Sequence, residues 1–269
     1  MDKIVFYDMH NAIWRAYVGF KNTEIYNEED VIVFNFFRNL RPLVELFKPD
    51  KMFCVWEGNP KFRYELYSEY KANRIKTGSK KDLKDIFSKA KPKIKNILDN
   101  FPLTSAKAEN YEADDVIATL CEQLKDEELV IISSDSDFTQ LLQKNYNIKL
   151  YNPIKKEYVV APDYPYVVWK ALAGDKSDNI QKIVSPKKAL ELSTNPDKLS
   201  EFLDKEENRA NFSINYNLIK FADIPENEII IENGQSKMDW VKREFHCLQF
   251  QSILNSWDRY IKTFSCLKL

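Results

Sequence analysis

Short, nearly unbroken apolar runs alternate with stretches of helical periodicity through the first half of the chain. Lys3-Ile4-Val5-Phe6-Tyr7 reads as a buried strand that stops at Asp8. Met52-Phe53-Cys54-Val55-Trp56 reads as a second that stops at Glu57-Gly58, after a break at Pro49-Asp50. Leu129-Val130-Ile131-Ile132 is a third, running into Ser133-Ser134-Asp135-Ser136-Asp137. Apolar residues recur at helical spacing over 12–20 and 31–47, and again at Leu83, Ile86, Phe87, Ile94, Ile97 and Leu98. Residues 111–124 predict another helix, 138–143 a short one, and 148–151 with 158–160 a strand pair; from Val167 the chain reads mostly helical. Strands that alternate with helices predict an α/β core with a mostly parallel sheet.

Each of the three strands ends in acid: Asp8, Glu57 and Asp135 with Asp137. In an open α/β sheet the ligand crevice lies beyond the carboxyl ends of the strands, so these distant residues are expected at one edge. Glu112-Ala113-Asp114-Asp115 opens the predicted helix, with Glu112 and Asp115 on one face at i, i+3 and Asp114 turned aside. Asp175 and Asp178, in Gly174-Asp175-Lys176-Ser177-Asp178-Asn179, repeat that spacing. Taken singly, any of these acids reads as a turn residue or a helix N-cap: Glu112 for its own helix, Asp135 or Asp137 for the helix near Phe138.

Charge changes this picture. The 269 residues carry 40 Lys/Arg and 41 Asp/Glu, a net −1. Residues 61–100 hold 12 basic against 5 acidic side chains, and 105–140 hold 2 against 10. A basic stretch alone is commonly a solvated helix face, but beside an acidic one it can hold a polyanion while the acids hold cations. Nine carboxylates gathered without metal would repel and stay partly protonated. Without those nine, 40 basic residues would face 32 acids, the balance of a nucleic-acid binder. Carboxylates without His or Cys suit the hard ions Mg²⁺ or Mn²⁺. Two such ions clamp the attacking and leaving oxygens of a phosphodiester and need no His base, in a chain with 2 His. The residues therefore point to a metal-dependent phosphodiesterase acting on nucleic acid.

Other chemistries fall away. The 4 Cys are scattered with no Cys-x-x-Cys pair, against a zinc site or a disulfide framework and in keeping with a reducing, cytoplasmic setting. With 5 Gly there is no glycine-rich phosphate loop. No apolar run reaches membrane-spanning length and no signal peptide opens the chain, so no membrane partner is expected.

Glu112-Ala113-Asp114-Asp115-Val116-Ile117-Ala118, Ser134-Asp135-Ser136-Asp137 and Gly174-Asp175-Lys176-Ser177-Asp178-Asn179-Ile180 resemble the motifs of the 5′-nuclease (flap endonuclease) family, in the right order. Phe62-Arg63-Tyr64-Glu65-Leu66, followed by Tyr70-Lys71-Ala72-Asn73-Arg74, resembles that family's arch motif, and Tyr216-Asn217-Leu218-Ile219-Lys220, Ile224-Pro225 and Leu248-Gln249-Phe250-Gln251-Ser252-Ile253-Leu254 resemble segments of its phage members. The resemblance implies a PIN-like three-layer core over 1–166 with a basic helical arch at about 61–104. A C-terminal helical DNA-binding region over 167–269 would contain a degenerate helix–hairpin–helix. It implies that Asp8, Glu57, Glu112, Asp114 and Asp115 form or support one metal site, and Asp135, Asp137, Asp175 and Asp178 a second. Lys71 and Arg74 match basic residues set over the scissile phosphate, where they would stabilise developing charge. Arg15, Arg63, Tyr70, Lys176, Lys182, Lys187 and Lys188 complete the expected nucleic-acid contacts, Tyr70 by stacking on a base or else as a core residue.

Two departures stand out. Glu57 replaces the usual Asp and reaches one methylene further. The stretch after Asn179, Ile180-Gln181-Lys182-Ile183-Val184-Ser185-Pro186-Lys187-Lys188-Ala189-Leu190, lacks the family's glycines, so the close backbone approach of a monovalent-cation site is not expected. The expected activity is hydrolysis of DNA at 5′ flaps, nicks and free 5′ ends, removing primers in replication or repair. With no polymerase segment following, a separate, monomeric, plausibly phage-encoded protein is expected. By resemblance, RNA–DNA hybrid is a further substrate and a single-strand-binding protein a partner. A PIN-like ribonuclease, and a branched-DNA-binding protein with little catalysis, are the alternatives.

Overall fold

The computed structural model describes residues 1–18, 28–75, 79–144 and 146–269. The predicted helix over 12–20 therefore runs beyond the described residues at its end, as do residues 76–78 of the expected arch. In chain order the elements are β1 (Lys3–Asp8), α1 (Met9–Val18), α2 (Glu28–Phe47), β2 (Lys51–Trp56), α3 (Lys61–Leu66), α4 (Ser79–Leu98), β3 (Thr104–Lys107), α5 (Ala113–Gln123), β4 (Glu128–Ile132), α6 (Thr139–Leu142), β5 (Ile148–Asn152), β6 (Glu157–Val159), α7 (Tyr166–Ala173), α8 (Pro186–Ser193), α9 (Pro196–Leu203), α10 (Glu206–Ile219), β7 (Ile230–Asn233), α11 (Met238–Cys247), α12 (Gln251–Leu254) and α13 (Trp257–Phe264).

The strands form one sheet in the order β6-β5-β4-β1-β2-β3-β7. The five inner strands are parallel, and β6 and β7 run antiparallel at the two edges. Helices cover both faces, which is why the inner strands are continuous apolar runs. Side chains still alternate: Val5, Tyr7, Met52, Cys54, Trp56, Val130 and Ile132 join the core shared with α1, α2 and α4. Ile4, Phe6, Phe53, Val55, Leu129 and Ile131 join the core under α5. From β1 the chain proceeds to β2 and β3 on one side and later to β4 and β5 on the other. The carboxyl ends of β1, β2 and β4 therefore face the topological switch point, where such sheets open a crevice. Among the described residues no helix is long and apolar enough to cross a membrane.

Two expectations of layout change. The last third is not a separate helical region: β7 pairs with β3 in register Ala106↔Ile231, and Val241, Phe245, Trp257, Tyr260 and Phe264 sit in the core beside α2. Tyr260 Oη donates to the Phe37 carbonyl at 3.1 Å. β7 escaped the pattern reading because all four of its residues are exposed, so no periodicity marks it. The segment over 61–104 is likewise only partly free of the body. Ala90, Ile94, Ile97 and Leu98 of α4 are buried in the core and Thr104 already begins β3. The apolar spacing predicted that helix, and the same spacing is what ties its second half down.

Candidate metal centre and nucleic-acid interface

The acids meet beyond the strand ends. Asp8 closes β1; one oxygen accepts from the Asn11 N–H (3.1 Å) and the other from Ser133 Oγ (2.8 Å), at the end of β4. Ser133 Oγ in turn accepts from the Asp135 N–H at 3.1 Å. Glu57 follows β2 and accepts from the Ala113 N–H at 3.1 Å, in the first turn of α5. This approach needs Gly58: a Cβ there would lie 2.1 Å from the Ala108 carbonyl oxygen.

The N-cap reading of Glu112 and the functional one coincide. Glu112 caps α5 in a capping box with Asp115. Because it is the cap and not a helical residue, the i, i+3 face does not apply. Oxygens of Glu112, Asp114 and Asp115 all come within 4.8 Å of one another, so Asp114 is not turned aside. Asp135 likewise caps a short 3₁₀ turn, accepting from the Asp137 N–H at 2.9 Å.

Four cations are set among these acids. Arg63 is 1% exposed. Its guanidinium grips Asp115 through two bonds of 2.5 and 2.7 Å and lies 3.1 Å from Glu112. Burial opposes its charge, but the Asp115 bonds outweigh that and raise its pKa. Arg63 is therefore not a nucleic-acid contact: no face of it reaches a ligand. Both Asp115 oxygens are thereby taken by Arg63. Asp115 also accepts from the Ala222 N–H at 2.8 Å, which pins the strap after α10. Tyr70 is also no stacking platform. It is 3% exposed, and its hydroxyl lies 2.9 Å from Glu112 and 3.2 Å from Asp178.

Lys71 bonds Glu112 and lies 3.7 Å from Asp178, while Arg74 bonds the other oxygen of Asp178. The backbone secures this pairing. Lys71 adopts a left-handed φ of 56°, a strained conformation for a non-glycine residue, and its N–H donates to the Asp178 carbonyl at 2.9 Å. Asn179 Nδ2 donates to the Glu69 carbonyl at 2.7 Å and Asn73 Nδ2 to the Lys176 carbonyl at 2.5 Å. The foot of the basic segment is thus stitched to the Asp175–Asp178 loop. That loop is a tight turn closed by two bonds between Asp175 and Ile180, not a helical i, i+3 pair.

The fourth cation, Lys170 of α7, went unnoticed in the sequence. It bonds Asp137 and lies 2.6 Å from Asp175. A lone lysine in the apolar run Tyr166-Val167-Val168-Trp169-Lys170-Ala171-Leu172-Ala173 was the available signal. Ser133 and Asn11 were also missed; both are small polar residues beside acids, without a pattern of their own.

The electrostatics divide along the same lines. Burial, then the charge of Glu112, pushes Glu57 up to about 7. Burial and its acidic neighbours push Asp114 well above the carboxylate range. Asp135 still reaches solvent, yet desolvation at the cleft floor and the charge of Asp137 raise it to about 6. Burial opposes Asp175's charge, but Lys170 and Ser177 hold it down at about 2. Acids kept from ionising by burial and then by acidic neighbours gain from a bound cation, and an oxygen-only donor set fits a hard divalent ion.

A model of the 5′-3′ exonuclease family, described as its N-terminal resolvase-like domain, matches residues 3–168. The chain belongs to that family. A 5′-3′ exonuclease of Mycoplasmopsis pulmonis (strain UAB CTIP) is 31% identical over 217 residues, which cover 76% of this chain and 70% of that one. The thermostable DNA polymerase I of Thermus filiformis is 30% identical over 204 residues, 71% of this chain but 23% of the polymerase. A bacteriophage T5 flap endonuclease, solved as a pseudo-enzyme–product complex with DNA and metal ions, superposes with a TM-score of 0.62. It covers 98% of this chain and 99% of that one at 16% identity, a likeness of fold. This 5′-3′ exonuclease family member is a nuclease.

The remaining expected contacts make other interactions. Arg15 donates to Tyr7 Oη at 2.8 Å and stacks over that ring. Lys176, Lys182, Lys187 and Lys188 are exposed along the turn from α7 to α8; Lys188 pairs with Glu191 at 3.1 Å. In place of glycines, Ser185 caps α8 and Pro186 opens it.

Proposed function

We propose that the protein is a structure-specific 5′ nuclease that hydrolyses DNA at 5′ flaps, nicks and free 5′ ends in replication or repair, using two Mg²⁺ or Mn²⁺ ions. What supports this reading is the acid group Glu112, Asp114 and Asp115 at the start of α5, with Asp8, Glu57 and Asp135 following strand ends and Lys71 and Arg74 bonded to Glu112 and Asp178. Asp8, Glu57, Glu112 and Asp114 would hold one ion, and Asp135, Asp137, Asp175 and Asp178 the other. Bound ions supply an activated water and neutralise charge on the phosphoryl oxygens.

The chain's own residues do the rest. Arg63, by taking both oxygens of Asp115, turns the first helical turn of α5 so that Glu112 and Asp114 face the cleft. Lys71 and Arg74 offer two positive groups to a phosphate that displaces them from Glu112 and Asp178, and hold it as charge builds. The stitched backbone under Lys71 keeps that placement preset. The basic segment at about 61–104 would supply the arch over a 5′ strand. Lys182 and Lys187 contact duplex phosphates through side chains, since no glycine lets the backbone approach. The protein works as a cytoplasmic monomer, with RNA–DNA hybrid as a further substrate and a single-strand-binding protein as partner.

The test is product mapping with end-labelled 5′-flap, nicked, single-stranded and matched RNA-flap substrates in Mg²⁺, Mn²⁺ or EDTA. The expected result is metal-dependent cleavage near the flap junction and release of short 5′ products. Cleavage persisting in EDTA, or confined to RNA flaps, overturns the reading.

A further inference from the structure

Between Asp137 and Asp175 the protein has placed a positive charge of its own. Lys170 Nζ bonds Asp137 Oδ1 and lies 2.6 Å from Asp175 Oδ2. The side chain is buried, 7% exposed for the residue, and its ammonium lies 5.9 Å from the Tyr166 ring centre. Tyr166 Oη donates to the same Asp137 oxygen at 2.8 Å. The helix that carries Lys170 is tied to α10, where Asn215 Nδ2 donates to the Ala171 carbonyl, and closes with the Gly174 N–H on the Lys170 carbonyl, each at 2.8 Å. Gly174 itself has φ 75°, which turns the chain straight from α7 into Asp175. Lysine and aspartate therefore come from one rigid corner.

A buried ammonium is costly unless its partners are close and charged, and two carboxylates this near each other are costly without a cation. Each half satisfies the other. We propose that Lys170 is a built-in counter-ion of the second metal position, which a divalent ion fills only by displacing the lysine. This rests on Asp137 and Asp175 belonging to an ion site. It makes the two positions unequal. At the Glu57–Glu112–Asp114 position Lys71 bonds Glu112, but among the described residues no ammonium bonds Glu57 or Asp114, so an ion has fewer acid–lysine bonds to displace there. The Asp137–Asp175 position is already neutralised and takes one weakly until substrate phosphate draws the lysine away. Lys170 is thus a positioning residue that sets when the second ion enters.

The experiment is Mn²⁺ titration of the full chain without DNA, counting free Mn²⁺ by electron paramagnetic resonance. Wild type is expected to bind one ion tightly and a second about tenfold or more weaker. Lys170→Met should tighten the second step by about tenfold while leaving the first unchanged. It should also lower the melting temperature in EDTA and regain it with Mn²⁺. Lys170→Arg, which keeps the charge, should leave the second step weak. An unchanged isotherm in Lys170→Met, while Asp175→Asn loses the weak step, overturns the lysine's role but keeps the site. If Asp175→Asn also changes nothing, the site assignment itself falls. Should Lys170→Met not fold, ¹⁵N-lysine-labelled wild type decides: the Lys170 ammonium signal must move in the second Mg²⁺ step, and a signal that stays put or moves only in the first overturns the proposal.

Discussion

The two groups of acids solve the same problem in opposite ways. Around α5 the carboxylates stand on rigid elements, and the buried Arg63 is spent on Asp115. Glu57 and Asp114 are pushed toward the protonated form by burial and then by the acids they face. Around α7 the acids stand on loops, and Asp137, Asp175 and Asp178 each pair with a cationic side chain. In the first group Glu57 and Asp114 have no bonded cation although Glu112 and Asp115 do; in the second Asp137, Asp175 and Asp178 have one and Asp135 is raised to about 6. A shared ligand chemistry therefore does not mean a shared affinity: what matters is how much unpaid repulsion an incoming ion relieves.

Removing charge from the starved group should have the largest effect. Asp114→Asn is expected to lower turnover about a thousandfold or more while 5′-flap affinity, measured in Ca²⁺ or EDTA, changes little. Near wild-type turnover would break the division of roles. Removing the buried cation behind that group should cost stability instead. Arg63→Met strands Asp115 and Glu112 and is expected to destabilise the fold by about 3–5 kcal/mol in denaturant unfolding. The double variant Arg63→Met/Asp115→Leu should recover a large part of that loss. If the double is as unstable as the single, the pair is not the cause.

The sequence made the first group almost fully legible and the second only in part. Strand ends at Asp8, Glu57 and Asp135 could be read because unbroken apolar runs stop there, and parallel topology then dictates convergence. What could not be read was which charged residues turn inward. Arg63 and Lys71 sit in one basic run and look alike on the chain, yet one is core and the other lines the cleft. Burial of Arg63 depends on the Leu218 and Lys220 carbonyls, about 155 residues away, which no local pattern encodes. Lys170 stayed hidden for the same reason: its partners are on β4's loop and on the turn after α7. β7 was missed because an exposed edge strand carries no alternation.

Lys71→Ala probes the rim between the groups. It should lower turnover about a hundredfold with a much smaller change in affinity, read from single-turnover kinetics at saturating enzyme. Affinity and turnover falling together would make Lys71 a binding residue only.

The smallest effect, and the one that separates the groups most directly, is the pH dependence of stability without metal. Glu57 titrates at about 7 in the folded protein, above its value of 4.5 when unfolded. Between those values the folded state holds more protons than the unfolded one, so stability falls as pH rises. Asp175 has the opposite sign. Its folded value of about 2 lies below 3.8, so its contribution is present above pH 3.8 and is lost only as pH falls toward 2. His10, lowered by desolvation, opposes Glu57 below about pH 6.5. In EDTA, stability is therefore expected to drop by about 1–3 kcal/mol from pH 5 to pH 7.5, seen as a lower melting temperature. Saturating Mg²⁺ should flatten the slope, because the ion replaces the proton. Glu57→Gln should reduce the slope without metal, leaving the part that the raised Asp114 and Asp135 contribute, and Asp175→Asn should leave it in place. If Asp175→Asn removes the slope and Glu57→Gln does not, the starved position is the one beside α7, and the contrast between the two groups is reversed.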